Sequence, residues 1–149
     1  MKNTFSNVTT LLLFDDVKPF ETIFFEHLSR ALPRLKTLEI VNQLEQQEKT
    51  TATKSNIEFT HLAVLILFDI HMDYVEQIFY QSHLPSLIEL AIDKDMLLTI
   101  IAQNQQQAKD NCFNVKRLIT SKPSYESIDA IQNFFPSGYY VKHFCEQNQ

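Results

Sequence analysis

Short apolar triplets punctuate the chain at a nearly constant interval. They read Val8-x-x-Leu11-x-Leu13, Leu35-x-x-Leu38-x-Ile40, Leu62-x-x-Leu65-x-Leu67, Leu87-x-x-Leu90-x-Ile92 and, with a polar last member, Val115-x-x-Leu118-x-Thr120. Their first residues stand 27, 27, 25 and 28 positions apart, and 26 further on Val141-x-x-Phe144 reads as a degenerate sixth copy. One triplet says nothing in so apolar a chain. Five in near-constant register define an internal repeat, and a fixed period decides architecture before any single residue does.

The stretch after each triplet carries helical periodicity. Phe20 to Leu32 places Ile23, Phe24, Leu28 and Ala31 on one face, and Tyr74 to Phe79 does so with Val75, Ile78 and Phe79. Met96 to Ala108 repeats this with Leu97, Ile100, Ile101 and Ala108, and Tyr125 to Phe135 with Ile128, Ile131, Phe134 and Phe135. The second unit differs. Its residues 42–56 are almost all polar, enough for a turn or two of helix before a loose loop from Thr50 to Ser55. A strand with one apolar face and a helix that covers it are unstable apart, and stacking such pairs builds one continuous core. The expected fold is therefore α/β, a single domain over 1–149: a short solenoid of about five strand-helix units. Parallel strands would line its concave side and helices its convex side, with a terminal cap at 139–144.

The triplets resemble the leucine-rich repeat pattern L-x-x-L-x-L-x-x-N/C-x-L in its longer, helix-bearing version. The phrases Leu32-Pro33-Arg34-Leu35-Lys36-Thr37-Leu38-Glu39-Ile40 and Leu84-Pro85-Ser86-Leu87-Ile88-Glu89-Leu90-Ala91-Ile92 are similar to the repeat region of F-box and leucine-rich-repeat proteins, from about Phe5 to Phe135. Where that family places Asn or Cys, this chain has Asp16, Gln43, Ile70 and Asp95, so its buried asparagine ladder is expected to be missing. No F-box is recognisable, Leu32-Pro33 fitting a repeat strand better. The resemblance implies a non-enzymatic module for protein-protein interaction, like the substrate-recognition repeats of a ubiquitin-ligase receptor. The other reading is a truncated repeat fragment without independent function, whose open N-terminal edge strand associates.

Triplet side chains point into the core, so the residues between them face the concave side. Leu12 and Phe14, Glu39 and Val41, Val64, Ile66 and Phe68, and Glu89 are the candidate partner-binding residues. Thr10, Thr37, Ala91, Asp93, Arg117, Ile119 and Ser121 share that face. An uncovered apolar patch with aromatic anchors marks an interface. Runs such as Leu11-Leu12-Leu13-Phe14 and Ala63-Val64-Leu65-Ile66-Leu67-Phe68 equally suit strands buried on both faces, with the polar 42–56 segment as one possible cover.

Composition narrows the chemistry. The 149 residues hold a single glycine, Gly138, against about ten at ordinary usage. Gly-rich phosphate loops and the dinucleotide fingerprint are thereby excluded. With a net charge of −5 and no basic block, no nucleic-acid partner is expected. The only early apolar run, Leu11 to Phe14, is too short for a signal or membrane segment, so no membrane partner is expected and the compartment is cytoplasmic or nuclear. Two cysteines, Cys112 and Cys145, suggest neither a disulfide framework nor a zinc knuckle. His71-x-Asp73, His61 with Asp69, and Asp93-x-Asp95 lack a third ligand at convincing spacing, so no metal, cofactor, catalytic residue or small-molecule substrate is expected. Asp15, Asp16, Asp69, Asp73, Asp93 and Asp95 follow the strands; they form either a negative rim or ordinary turn and helix-cap residues.

Overall fold

Each triplet becomes a strand because its alternating leucines need only one covered face. The computed structural model describes residues 6–47, 57–121, 125–135 and 140–143. In chain order the elements are β1 (Thr10–Phe14), α1 (Thr22–Ala31), β2 (Thr37–Val41), β3 (Ile57–Glu58), β4 (Val64–Leu67) and α2 (Met72–Gln81). They continue with β5 (Ser82–His83), β6 (Glu89–Ile92), α3 (Lys94–Gln103), α4 (Gln106–Asn111), β7 (Arg117–Thr120), α5 (Tyr125–Phe134) and β8 (Tyr140–His143). The protein is α/β. Six strands form one parallel sheet in the order β1-β2-β4-β6-β7-β8, and β3 with β5 forms a second, two-stranded parallel sheet.

The sheet register joins like positions of successive triplets. Leu11 pairs with Leu38, Leu38 with Leu65, Leu65 with Leu90, Leu90 with Leu118, and Leu118 with Val141. The sixth copy therefore begins three residues earlier than its apolar pattern suggests: Val141 stands in the second triplet position, not the first. The expected cap at 139–144 is a sixth strand over its described residues, and 139 and 144 lie outside them.

The approach to each strand repeats as well. The amide of the first triplet residue donates to the carbonyl three positions back, as Leu35 to Leu32, Leu62 to Phe59, Leu87 to Leu84 and Val115 to Cys112. Those four partners are themselves buried, which adds a core position ahead of each triplet. One carbonyl of each preceding unit (Thr9, Lys36, Ala63, Ile88) then accepts two successive amides of the next. Inside, Leu38, Ile40, Leu65, Leu67, Leu90, Ile92 and Leu118 are fully buried with Phe25, Tyr74, Val75, Phe79, Leu97 and Ile100 from the helices. Full burial of one such leucine contributes roughly 1.5–3 kcal/mol. Leu11 and Leu13 are only half-buried because β1 has a single neighbour.

Three local departures have physical causes. The helix expected from Met96 to Ala108 is two helices, because Asn104 takes a left-handed conformation (φ 54°) that caps α3. In a chain with one glycine, asparagine is the residue that tolerates this cap. In the second unit residues 42–47 are not helical, and 48–56, including the expected Thr50–Ser55 loop, lie outside the described residues. There β3 pairs with β5 beside α1, so a strand pair stands in the layer that a helix occupies elsewhere. Asn42 is in turn bridged to Ile70, one residue out of step with Glu39 opposite Ile66, so β4's end takes up an extra residue.

Candidate functional site: the open face of the sheet

The strand residues between the triplets lie on the face opposite the helices. Two registered rows cross it. One runs Thr10, Thr37, Val64, Glu89, Arg117, the other Leu12, Glu39, Ile66, Ala91, Ile119. Beyond them Phe14 stands opposite Val41. Leu12 is 59%, Phe14 63% and Phe68 37% exposed, while Glu39, Val41, Val64, Ile66 and Glu89 are partly buried. Strands β1 and β4 are two strand spacings apart, about 9.6 Å, so Phe14 and Phe68 flank β2. The smallest member of the second row, Ala91, is buried among its neighbours. On β6 and β7 the face turns polar: Arg117 Nη1 donates to Glu89 Oε1 at 2.8 Å, joining two residues directly in register.

The polar segment 42–47 leaves Leu12 and Phe14 exposed because its bonds go elsewhere. Asn42, buried, donates from Nδ2 to the Lys18 carbonyl and accepts the Leu44 amide. The Tyr74 hydroxyl donates to the Leu44 carbonyl at 2.6 Å and accepts the Phe20 amide at 3.1 Å. Gln46 donates to the Phe20 carbonyl, and its amide donates to Asp73 Oδ2. Burial pushes the Tyr74 phenol above its ordinary pKa, so it remains a donor. The segment is thus tied to the entry of α1 and the first turn of α2.

Buried asparagines do satisfy loop backbone in this chain, but from positions other than those the family pattern assigns. Asn42 stands one residue before Gln43. Asn111, at the end of α4, accepts the Leu84 amide and donates to the Phe79 and Ser82 carbonyls. Neither was singled out by the sequence, where an asparagine among polar neighbours looks like any loop residue.

The structure does bring a third group to His71 and Asp73. Glu45 joins them, with one potential ligand atom from each lying within 4.8 Å of the others. Two of these groups already have work, however. His71 Nδ1 accepts the Asp73 amide as the cap of α2, and Asp73 Oδ2 accepts the Gln46 amide. The positive end of α2 also disfavours a cation there. No such group of three forms around His61 with Asp69, or Asp93 with Asp95, among the described residues. Cys112 is buried, equivalent to Leu32, Phe59 and Leu84, and desolvation pushes its thiol far above the ordinary value. No nucleophilic thiolate forms at such a position. Cys145 lies outside the described residues.

Among the described residues no helix is long and apolar enough to cross a membrane. Compared with protein-family models, with curated proteins and with solved structures, the chain finds no match.

Proposed function

We propose that the chain is a short leucine-rich-repeat-type solenoid whose strand face recognises another protein and performs no chemistry. The role that goes with the resemblance is selection of targets in the manner of F-box ubiquitin-ligase receptors. The solenoid reading is supported by strands that pair in chain order, in parallel, through equivalent triplet positions. The recognition reading is carried by one observation: Leu12 and Phe14 remain more than half exposed beside Val41, Ile66 and Phe68. Large apolar side chains gathered on one surface are the kind that anchor interfaces.

A second reading, a repeat segment that associates through its end, has its own observation. Val8, Leu11, Leu13, Phe24, Leu28, Ala31 and Leu32 line an apolar cleft of about 340 Å³ beside edge strand β1. The two readings place the sticky surface differently. Phe14→Asp with Phe68→Asp should abolish co-precipitation of the protein's partners while leaving the urea midpoint within a few tenths of a molar unit. Partners retained in full by that variant sink the strand-face reading. Partners lost on Leu11→Asp but kept by the Phe pair would establish the end-association reading.

A further inference from the structure

The strand face carries charge as well as apolar surface, and the charge has a direction. Among the described residues, Asp15, Asp16, Glu45, Asp69, Asp73, Asp93 and Asp95 stand toward the C-terminal ends of the strands, together with Lys18 and Lys94. At the N-terminal ends stand Arg34, Lys36, Lys116 and Arg117, the last of them ion-paired with Glu89, the one acidic residue that opens a strand of the six-stranded sheet among the described residues. Local capping accounts for only part of the acidic edge. Asp15 Oδ1 accepts the amides of Val17 and Lys18, bonds that hold its carboxyl below the ordinary range, and Asp73 accepts the Gln46 amide. Asp69 accepts from Gln43 Nε2. Asp93 stands at the cap position of α3 with no side-chain cap bond, and Asp16 is exposed. The capping explanation thus covers Asp15 and Asp73, Asp69 is bonded to Gln43, and Asp16 and Asp95 are left exposed.

Glu39 is the most informative residue. It lies in the middle of β2, in register between Leu12 and Ile66, and among the described residues no hydrogen bond or ion pair reaches it. A carboxylate set between two large apolar side chains loses hydration when anything covers them, and only a cation or donor from the covering molecule offsets that loss. A second copy of this chain fits badly. For the acidic ends of one sheet to meet the basic ends of another face to face, a two-fold axis must cross the strands, and it brings the middle of β2, with Glu39, against its own counterpart.

We infer that the partner of this face is a basic amphipathic segment of another protein, its apolar side chains seated on Leu12, Phe14, Ile66 and Phe68 and a Lys or Arg over Glu39. This rests on the strand-face reading proposed above. The remaining cations of the segment lie toward the Asp16 and Asp69 end of the strands, where the field of the acidic rim draws them.

Two fluorescein-labelled peptides test it by anisotropy: one alternating Leu or Phe with Lys, the other with Glu in place of every Lys. The wild-type protein should bind the Lys peptide, more weakly as salt is raised, and bind the Glu peptide at least about tenfold less well. Glu39→Lys should weaken the Lys peptide by about tenfold and narrow or reverse the preference, and Glu39→Gln should do so by a smaller factor. Asp16→Lys, on an exposed turn, serves as a second variant if strand substitutions disturb folding. Equal binding of both peptides, failure of the Lys peptide to bind, or an unchanged preference in Glu39→Lys overturns the charge inference. In those cases the Phe14→Asp and Phe68→Asp result still decides whether the face recognises anything. A wild-type dimer in sedimentation that Phe14→Asp dissociates would replace the basic segment with a second copy.

Discussion

The β-ladder and the 42–47 segment are held by opposite means. In the ladder, each position repeats the one a unit away: Leu38, Leu65 and Leu90 are mutually registered and fully buried, and β2, β4, β6 and β7 are each introduced by the same turn and the same doubly accepting carbonyl. Residues 42–47 join that ladder only at Asn42, bridged to Ile70. They are fixed by polar atoms of Asn42, Gln46, Asp73 and Tyr74, whose partners lie 24 to 30 residues away in sequence. The comparison shows that one chain stabilises regular units by burial and the unit without its own helix by hydrogen bonds. Burial is distributed over many contacts, whereas a hydrogen-bonded clasp depends on a few atoms.

The sharpest way to break the ladder is Leu65→Ala. Its side chain sits between registered leucines on both sides, so truncation leaves a void that neighbouring strands cannot close. A loss of about 3–5 kcal/mol in urea-measured stability is expected, felt globally. A loss under about 1 kcal/mol would mean that the repeat core is not the principal support. Next comes Asn111→Ala, which strands the Leu84 amide and the Phe79 and Ser82 carbonyls around the end of α2. It should cost about 2–3 kcal/mol. Restoring stability with Asn111→Asp is not expected, since a carboxylate accepts from Leu84 but cannot donate to two carbonyls.

The same contrast explains what was legible beforehand. Strand positions, their register and the α1, α2 and α5 helices follow from apolar periodicity, because burial of a leucine depends on spacing that the sequence displays. The break in the third helix turned on Asn104 alone, which the apolar pattern passes over. The start of the last unit was misplaced because Val141 and Phe144 fit the triplet spacing as well as a strand offset by three. The clasp was illegible: nothing in Asn42, Gln46 or Tyr74 announces partners two dozen residues away. For the strand face, the sequence showed which residues share it, since alternation dictates that. It did not show that Glu89 is taken up by Arg117 while Glu39 is left without a described partner, because the pairing depends on which residue the next strand sets in register, Arg117 beside Glu89 but Leu12 and Ile66 beside Glu39.

The smallest and most discriminating test is Tyr74→Phe. The ring stays in the core beside Phe20 and Phe25, so packing is preserved. Only the hydroxyl goes, and with it one donor to Leu44 and one acceptor for Phe20. A local effect of about 1–2 kcal/mol is expected, since two hydrogen bonds are lost but water can reach both orphaned groups once the segment loosens. Native-state hydrogen exchange should register it as faster exchange at Leu44 and Gln46, with amides of Leu65 and Leu90 unchanged. Uniform acceleration across the ladder would show instead that the clasp and the repeats unfold as one unit, and that the division between two modes of stabilisation is false.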